Sequence, residues 1–592
     1  MLISIDYSRT VNGQLLTVLA CFSLEGAVSL GPAIVALKKT YKFALLVDEA
    51  HSFMALGSAG RGSFNYWEDL GYECPLKEVD LMSCMFSKSV GCTGGFVLAN
   101  GIFAAELRSQ EKQLEARGVE TLSTVVLLRV LGLLRKPLLI QHRMRILRKK
   151  AEYVARELKR AGFTVLASPG SAVVCFPVGS VDMVSLFHKE ACEMGLGLAG
   201  AGPPATPTWG CRIRLCIFGT TTWPDIYKML NIIVKISLKY GVGGARPTTF
   251  DKTIISWTDD MDHRAKAECD SVDKNLSHYV DELSTSEHPL QVNGQVTKAV
   301  DDLVRAAGVE ALHRYGIGPC SARWFYGGFD VFTALERRLA RMYPSLVAQS
   351  RHCRGNCSFL SIFRNLLTND TAMICGDAEI TIGSTLTALA KPCASKTIVN
   401  RVFCPSNAPH SVILGAKLAR PSKHLTVEFY DGLPDLLTKI ENWKGNEFHL
   451  TIFFETVVNG SILDLVGFLQ DSIPGLKKGR KVNGLTMMLD DRNGLGKIGP
   501  KSLGYLNLME EKLGPNFLRD TLQPLSCPVY MLVAGSWFDA FGHQGGYVTG
   551  TASTIECLTW EAKAFFFSTP PMPLQAAMSD RMLAILQGES SK

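Results

Sequence analysis

The chain has 592 residues, 47% of them hydrophobic, and carries 62 basic against 55 acidic side chains for a net charge of +7. That length and apolar content predict more than one globular domain, and charge so dilute and mixed gives no electrostatic case for nucleic acid binding. The 17 cysteines are odd in number and lack paired CxxC modules, which points to reduced thiols and away from disulfides or a zinc site; "HCRGNC" at 352–357 reads as chance.

The N-terminal "MLISIDYSRTVNGQ" lacks the basic start and apolar core of a signal peptide. The nearest approach to a membrane span, "LSTVVLLRVLGLLRKPLLI", is broken by arginines and falls short of roughly 20 uncharged apolar residues. The expectation is a cytoplasmic protein, or one peripheral at the endoplasmic reticulum membrane. Strand-like "QLLTVLACFS", helical "AIVALKKTYK" and strand-like "FALLV" begin an alternation that predicts an α/β fold with parallel sheets covered by helices. "RKPLLIQHRMRILRKKAEYVARELKR" spaces its apolar residues as an amphipathic helix; its basic face is either solvated or a surface for membrane or acyl-CoA phosphates. A polar stretch from about Thr248 to Ala299 reads as a linker or arm.

Two segments recur in weaker form, in the same order and at similar spacing. "VDEAHSFMALGSAGRG" from Val47 returns as "LDDRNGLGKIGPKSLG" from Leu489, and "FSKSVGCTGGFVLAN" from Phe86 as "WFDAFGHQGGYVTGT" from Trp537. The chain is therefore expected to hold two related units. Aligning the paired glycines sets Asp539 against Lys88.

Asp48 follows an apolar run and belongs at the carboxyl end of a parallel strand, where open α/β sheets bind ligands. A carboxylate there is either a locally satisfied turn residue or the partner of a cation such as a protonated heterocyclic nitrogen. His51 lies on the turn, and Lys88 follows a later apolar run with glycines behind it. A lysine in a partly apolar pocket loses pKa and becomes a nucleophile for aldehydes. Asp, His and Lys on successive strand ends fit pyridoxal phosphate.

"CFSLEGAVSLGPAIVALKKTYKFALLVDEAHSFMALGSAGRG", "EVDLMSCMFSKSVGCTGGFV" and "AGPPATPTWGCRIRLCIFGTTT" together resemble the α-oxoamine synthases, most closely the lysine-bearing subunit of serine palmitoyltransferase. "RYGIGPCSARWFYGGFDVFTALERRLARMYP" and the stretch from Ala534 to Ala577 are similar to the lysine-lacking partner subunit. The resemblance implies two incomplete copies of the fold-type I pyridoxal-phosphate transferase, a mixed, mostly parallel sheet flanked by helices. Residues 1–130 would be the latter part of the cofactor-binding large domain, 131–247 a small α+β C-terminal domain, 248–299 a linker and 300–592 a second large domain. It implies that Asp48 pairs with the pyridinium nitrogen, His51 lies beside the phenolic oxygen, and Lys88 binds the aldehyde and moves the α-proton. Ser23 would lie beside the cofactor, Ser87 near the phosphate, Arg214 on the substrate carboxylate, and Thr121 and Ser123 at the phosphate across a dimer.

The implied reaction joins an amino acid (serine, or alanine or glycine) to an acyl-CoA with loss of coenzyme A and carbon dioxide. The implied partners are these substrates, together with a second subunit: an intramolecular pseudo-dimer, a homodimer or another synthase chain. Met85 stands where the family has a phosphate-binding threonine. The first unit begins inside its large domain, without the ring-stacking histidine, and the second stops where its small domain should begin. In the second unit Pro409 takes that histidine's place with His410 one position off, Asn493 replaces the turn histidine, and Cys320 matches an interface cysteine. These departures leave open an inactive partner of an intact synthase; an ordinary aminotransferase is disfavoured by "PPATP" and "GRG".

Overall fold

The computed structural model describes residues 15–74, 76–111, 121–203, 205–250, 298–318, 321–323, 328–343, 372–391, 398–419, 423–442, 447–477, 481–522, 527–562, 565 and 568–589. Most of the expected linker, residues 352–357 and Cys320 lie outside them. Contacts divide the chain into two compact units, residues 1–112 with 121–287, and 113–120 with 288–592.

The first unit opens with β1 (Leu15–Leu19), α1 (Gly31–Tyr41), β2 (Ala44–Asp48), α2 (Ser63–Asp69), β3 (Leu81–Met85) and β4 (Gly95–Ala99), in a sheet of order β1-β2-β3-β4. The first three strands are parallel, as the alternation predicts, but β4 runs antiparallel to β3. Only residues 86–94 join them, too few for a crossover helix, and Gly91 and Gly94 supply the positive φ of a tight return. Pro32 in the first turn of α1 fits a helix start that has no N–H acceptor to lose.

There follow α3 (Gly101–Glu111), α4 (Thr121–Leu134), α5 (Pro137–Arg160), β5 (Val173–Pro177), α6 (Val181–Glu193), β6 (Ala199–Ala201), β7 (Arg212–Cys216) and α7 (Trp223–Tyr240). The membrane-like run of the sequence divides at Pro137 between α4 and α5, and no helix among the described residues is long and apolar enough to cross a membrane. The α5 stripe Leu147, Ala151, Val154 and Leu158 packs with Phe176, Ile213 and Ile233 over the antiparallel sheet β5-β7-β6, while Arg143, Arg145, Lys149 and Arg156 stay exposed. This small sheet is seamed to the β1 end: Val28 N–H donates to Ser168 Oγ at 2.9 Å and Ser168 N–H to the Gly26 carbonyl at 3.1 Å. Gly26 has φ +72°, and a Cβ there would collide with the Val173 carbonyl oxygen.

The second unit comprises α8 (Lys298–Tyr315), α9 (Asp330–Met342), β8 (Ala372–Cys375), α10 (Ala378–Leu389), β9 (Val399–Pro405), α11 (His410–Leu418), β10 (Leu425–Tyr430), α12 (Leu433–Glu441) and β11 (Glu447–Glu455). It continues through β12 (Val457–Val458), β13 (Ser461–Ile462), α13 (Leu465–Lys477), β14 (Lys481–Asp490), α14 (Tyr505–Leu513), α15 (Phe517–Leu522), β15 (Val529–Ser536), α16 (Trp537–Phe541), β16 (Gly546–Gly550), α17 (Ala552–Glu561) and α18 (Pro573–Gln587). Its main sheet has the order β10-β9-β11-β14-β15-β16-β8, with the pairings of β16 antiparallel and the rest parallel. Ile452 and Phe454 enter one core while Phe453 enters the other, and Met487 and Leu489 oppose Met488 likewise. A parallel strand covered on both faces is apolar without alternation for this reason. The run β11-β14-β15-β16 repeats the order and senses of β1-β2-β3-β4: Asp490 pairs with Glu455 and Ala534 as Asp48 pairs with Leu19 and Ser83, and Ser536 pairs with Gly546 as Met85 with Gly95. The whole is an α/β fold with mixed, mostly parallel main sheets.

Candidate active site at the end of strand β2

Asp48 is the last residue of β2, between β1 and β3, at the carboxyl edge of the parallel strands. Its Oδ1 accepts the Ala50 N–H at 2.8 Å. Among the described residues no basic side chain forms an ion pair with it.

The turn beyond it is shaped by a residue that sequence reasoning passed over. Glu49 is buried, and its carboxylate accepts the Ser63 N–H at 3.0 Å at the start of α2, together with the Ser52 and Ser63 hydroxyls. Burial raises its pKa while these hydroxyls and the amide pull it down. Gly62, with φ +95°, lets the chain pass where a Cβ would strike the same carboxylate. The available signal was an acid directly after the strand-end aspartate, followed by the glycines of "GSAGRG". This clamp closes the turn that carries His51.

Lys88 lies on the return between β3 and β4, where Phe86 N–H donates to the Gly94 carbonyl at 3.0 Å and Gly91 N–H to the Phe86 carbonyl at 2.8 Å. Its pKa is pushed down to about 8, chiefly by burial; Asp48 opposes that shift and Arg214 adds to it. Lys88 Nζ lies 3.4 Å from Met85 Sδ, a soft and weak acceptor. Burial, aided by the Lys88 and Arg214 cations, holds His51 well below the ordinary histidine range, so its ring is neutral at neutral pH. Arg214, buried on the central strand of the small sheet, is fixed by donation from Nε to the Ser23 carbonyl at 2.6 Å.

Asp48, His51, Lys88 and Arg214 thus share one electrostatic neighbourhood, and Ser23 joins it through its backbone. Ser87 beside Lys88 is buried with an unpartnered hydroxyl. Ser123 is buried on α4; Thr121 opens that helix, and its side chain lies outside the described residues.

The donor set fits pyridoxal phosphate: a carboxylate with no ion-pair partner among the described residues for a pyridinium, a neutral imidazole, an amine of depressed pKa for an aldehyde, and an orphan hydroxyl for a phosphate oxygen. Met85 contributes no donor. Such a set can hold a carbonyl compound covalently and move a proton at the adjacent carbon.

Comparison with known proteins agrees. The family described as "Aminotransferase class I and II" matches residues 12–225. The chain is 43% identical to "Aminotransferase ALT4" of Alternaria alternata, over 98% of this chain and 71% of that protein. It is 44% identical to "Aminotransferase FUM8" of Gibberella moniliformis, over 94% of this chain and 99% of that one. "Serine palmitoyltransferase 2" of Dictyostelium discoideum is 30% identical over 36% of this chain and 44% of its own length. The chain therefore belongs to the class I and II aminotransferase family of pyridoxal-phosphate-dependent enzymes, in the α-oxoamine synthase group that its Asp48 and Lys88 motifs resemble.

Proposed function

We propose that the chain catalyses a decarboxylating condensation of an amino acid, serine or else alanine or glycine, with a long-chain acyl-CoA or similar thioester. The products are an α-amino ketone of the 3-ketosphinganine type, free thiol and carbon dioxide. The observation that carries this reading is the gathering of Asp48, His51, Lys88 and Arg214, with Lys88 lowered to about 8. When bound, pyridoxal phosphate supplies an electron sink for negative charge at the substrate α-carbon. Asp48 would keep a proton on the ring nitrogen by presenting an anion to it. The neutral His51 would lie beside the phenolic oxygen and add no charge of its own. Lys88 would hold the cofactor's aldehyde carbon, and its Nζ would serve to take the proton from the substrate α-carbon. Arg214 holds the substrate carboxylate through a planar guanidinium already fixed by Ser23. Ser23 and Ser87 would line the cofactor, Ser87 at the phosphate, and Thr121 and Ser123 would serve the phosphate of a dimer mate.

In this reading residues 1–130 and 131–247 form the lysine-bearing copy, 248–299 the link and 300–592 the copy without a lysine. The repeated strand order and register support it. A second subunit, another copy of the chain or an intact synthase subunit, would complete the site. The exposed basic face of α5 offers a surface for acyl-CoA phosphates or an anionic membrane.

Met85 beside Lys88 favours a second reading, an inactive partner of an intact synthase. The test is to purify wild type and Lys88→Ala with pyridoxal phosphate, record the absorbance acquired when the cofactor links to an amine, and follow coenzyme A release with serine, alanine and glycine. The condensation reading expects the band and thiol release in wild type only; identical spectra leave the inactive partner. Transfer of the amino group without thiol release would identify an ordinary aminotransferase.

A further inference from the structure

The end of β14 repeats the end of β2 with one addition. Asp490 Oδ1 accepts the Arg492 N–H at 3.2 Å, as Asp48 Oδ1 accepts the N–H of Ala50. Where Ala50 offers a methyl, Arg492 turns its guanidinium back on the carboxylate, with Nε 2.9 Å from Oδ1 and 2.8 Å from Oδ2, and Nη2 2.8 Å from Oδ2. Its Nη1 continues to the carboxylate of Glu379 in the first turn of α10. Ser411 donates its hydroxyl to the other Glu379 oxygen, and Asp377 caps the same helix by accepting the Ile380 N–H at 2.8 Å. Asp490 and Arg492 are both buried.

We propose that Arg492 and Glu379 are the second unit's own substitute for the two charges of pyridoxal phosphate, so that this unit holds its strand end and helix start together without cofactor and the chain binds one cofactor, not two. A pyridinium would bring a cation to the strand-end carboxylate, and a phosphate would bring an anion to a helix N-terminus, where unpaired N–H groups attract one. Arg492 supplies the cation, and Glu379 with Asp377 supplies the anion. The same linkage explains why Asp490 is retained where no lysine accompanies it: with Arg492 removed it would be a buried charge without a partner.

This inference rests on the reading of Asp48 as the ring-nitrogen partner. The full chain is saturated with pyridoxal phosphate, reduced with borohydride and counted for cofactor per chain, with peptide mapping of the labelled lysine and equilibrium dialysis for cofactor held non-covalently. The thermal midpoints of wild type, Arg492→Ala and the double variant Asp490→Ala with Arg492→Ala are compared in parallel. The expected result is one cofactor, on Lys88, with the Arg492→Ala midpoint lowered by several degrees and at least half recovered in the double variant. Two equivalents in wild type, or an Arg492→Ala midpoint equal to wild type, would overturn this inference alone. No cofactor at all would overturn the reading of Asp48 and this inference with it. If Arg492→Ala fails to accumulate as folded protein, the wild-type count and the double variant still decide.

Discussion

The Asp48 and Asp490 turns share a backbone and differ in the side chains that face the strand ends. In each, a buried acid directly after the strand-end aspartate takes the first amide of the next helix: Glu49 that of Ser63, and Asp491 that of Tyr505 at 3.0 Å. Gly62 and Gly504 both have positive φ and both leave room for that acid, and Met54 N–H to Gly60 O is matched by Gly496 N–H to Ser502 O, each at 2.8 Å. Further on, Gly94 and Gly545 have φ of +115° and +117° at matching returns. Against this sameness stand Ala50 and Arg492, His51 and Asn493, Met85 and Ser536, Lys88 and Asp539. The scaffold of the turn is thus specified apart from its chemistry, by one carboxylate and a few glycines that touch no reacting atom.

Exchanging the side chains that differ should give the largest effects. Lys88→Ala should lower turnover by about 10³-fold or more, the scale of losing a covalent and proton-moving group, while Asp539→Ala stays within about threefold in the same thiol-release assay. An equal loss in both would end the division between the turns.

The shared clamp should instead register as stability in both units. Glu49→Ala and Asp491→Ala should each cost about 1–3 kcal/mol by leaving buried donors unpaired, read as lowered denaturant midpoints. Only Glu49→Ala should also weaken cofactor binding, because its turn carries His51.

The electrostatics of the first turn are testable by pH. In cofactor-free protein, acylation of Lys88 followed by mass spectrometry should rise with a midpoint near 8, below that of ordinary lysines. Arg214→Gln removes a repelling cation and should move the midpoint up; Asp48→Asn removes an attracting anion and should move it down. Because the folded pKa is depressed, this lysine binds fewer protons folded than unfolded between about 8 and 10.5, so its contribution to stability rises with pH across that window. The smallest effect is expected from Met85→Thr, which returns a hydroxyl to the neighbourhood of the orphan Ser87 and should tighten pyridoxal phosphate by about threefold to tenfold, on the scale of one hydrogen bond. An unchanged dissociation constant would mean that position 85 does not face the phosphate.

Much of this was legible in the sequence because strand-end chemistry follows strand periodicity. "FALLVD" announces both β2 and the exposed edge where Asp48 stands, and the spacing to "FSKSVGCTGG" carries Lys88 to the next parallel strand. Arg214 was legible only by resemblance, since nothing in "RIRLC" says that the small sheet is seamed to Ser23 across nearly two hundred residues of chain. Glu49 and Arg492 were not legible. Both are charged residues on a polar turn, and only three-dimensional closure reveals that the one clamps α2 and the other folds back on its neighbour but one. The alternation of apolar runs reports strands and says little about direction; that the sheet is mixed was legible by resemblance, and only the structure assigns the reversal to β4.

Ala50 has one further consequence. Its side chain is a single buried methyl, and the Arg492 geometry shows what a longer cationic one does from the same place in the turn. Position 50 is therefore governed by what has to stay out of it. A single Ala50→Arg exchange would bring a guanidinium within reach of the Asp48 carboxylate, the contact that Arg492 makes with Asp490.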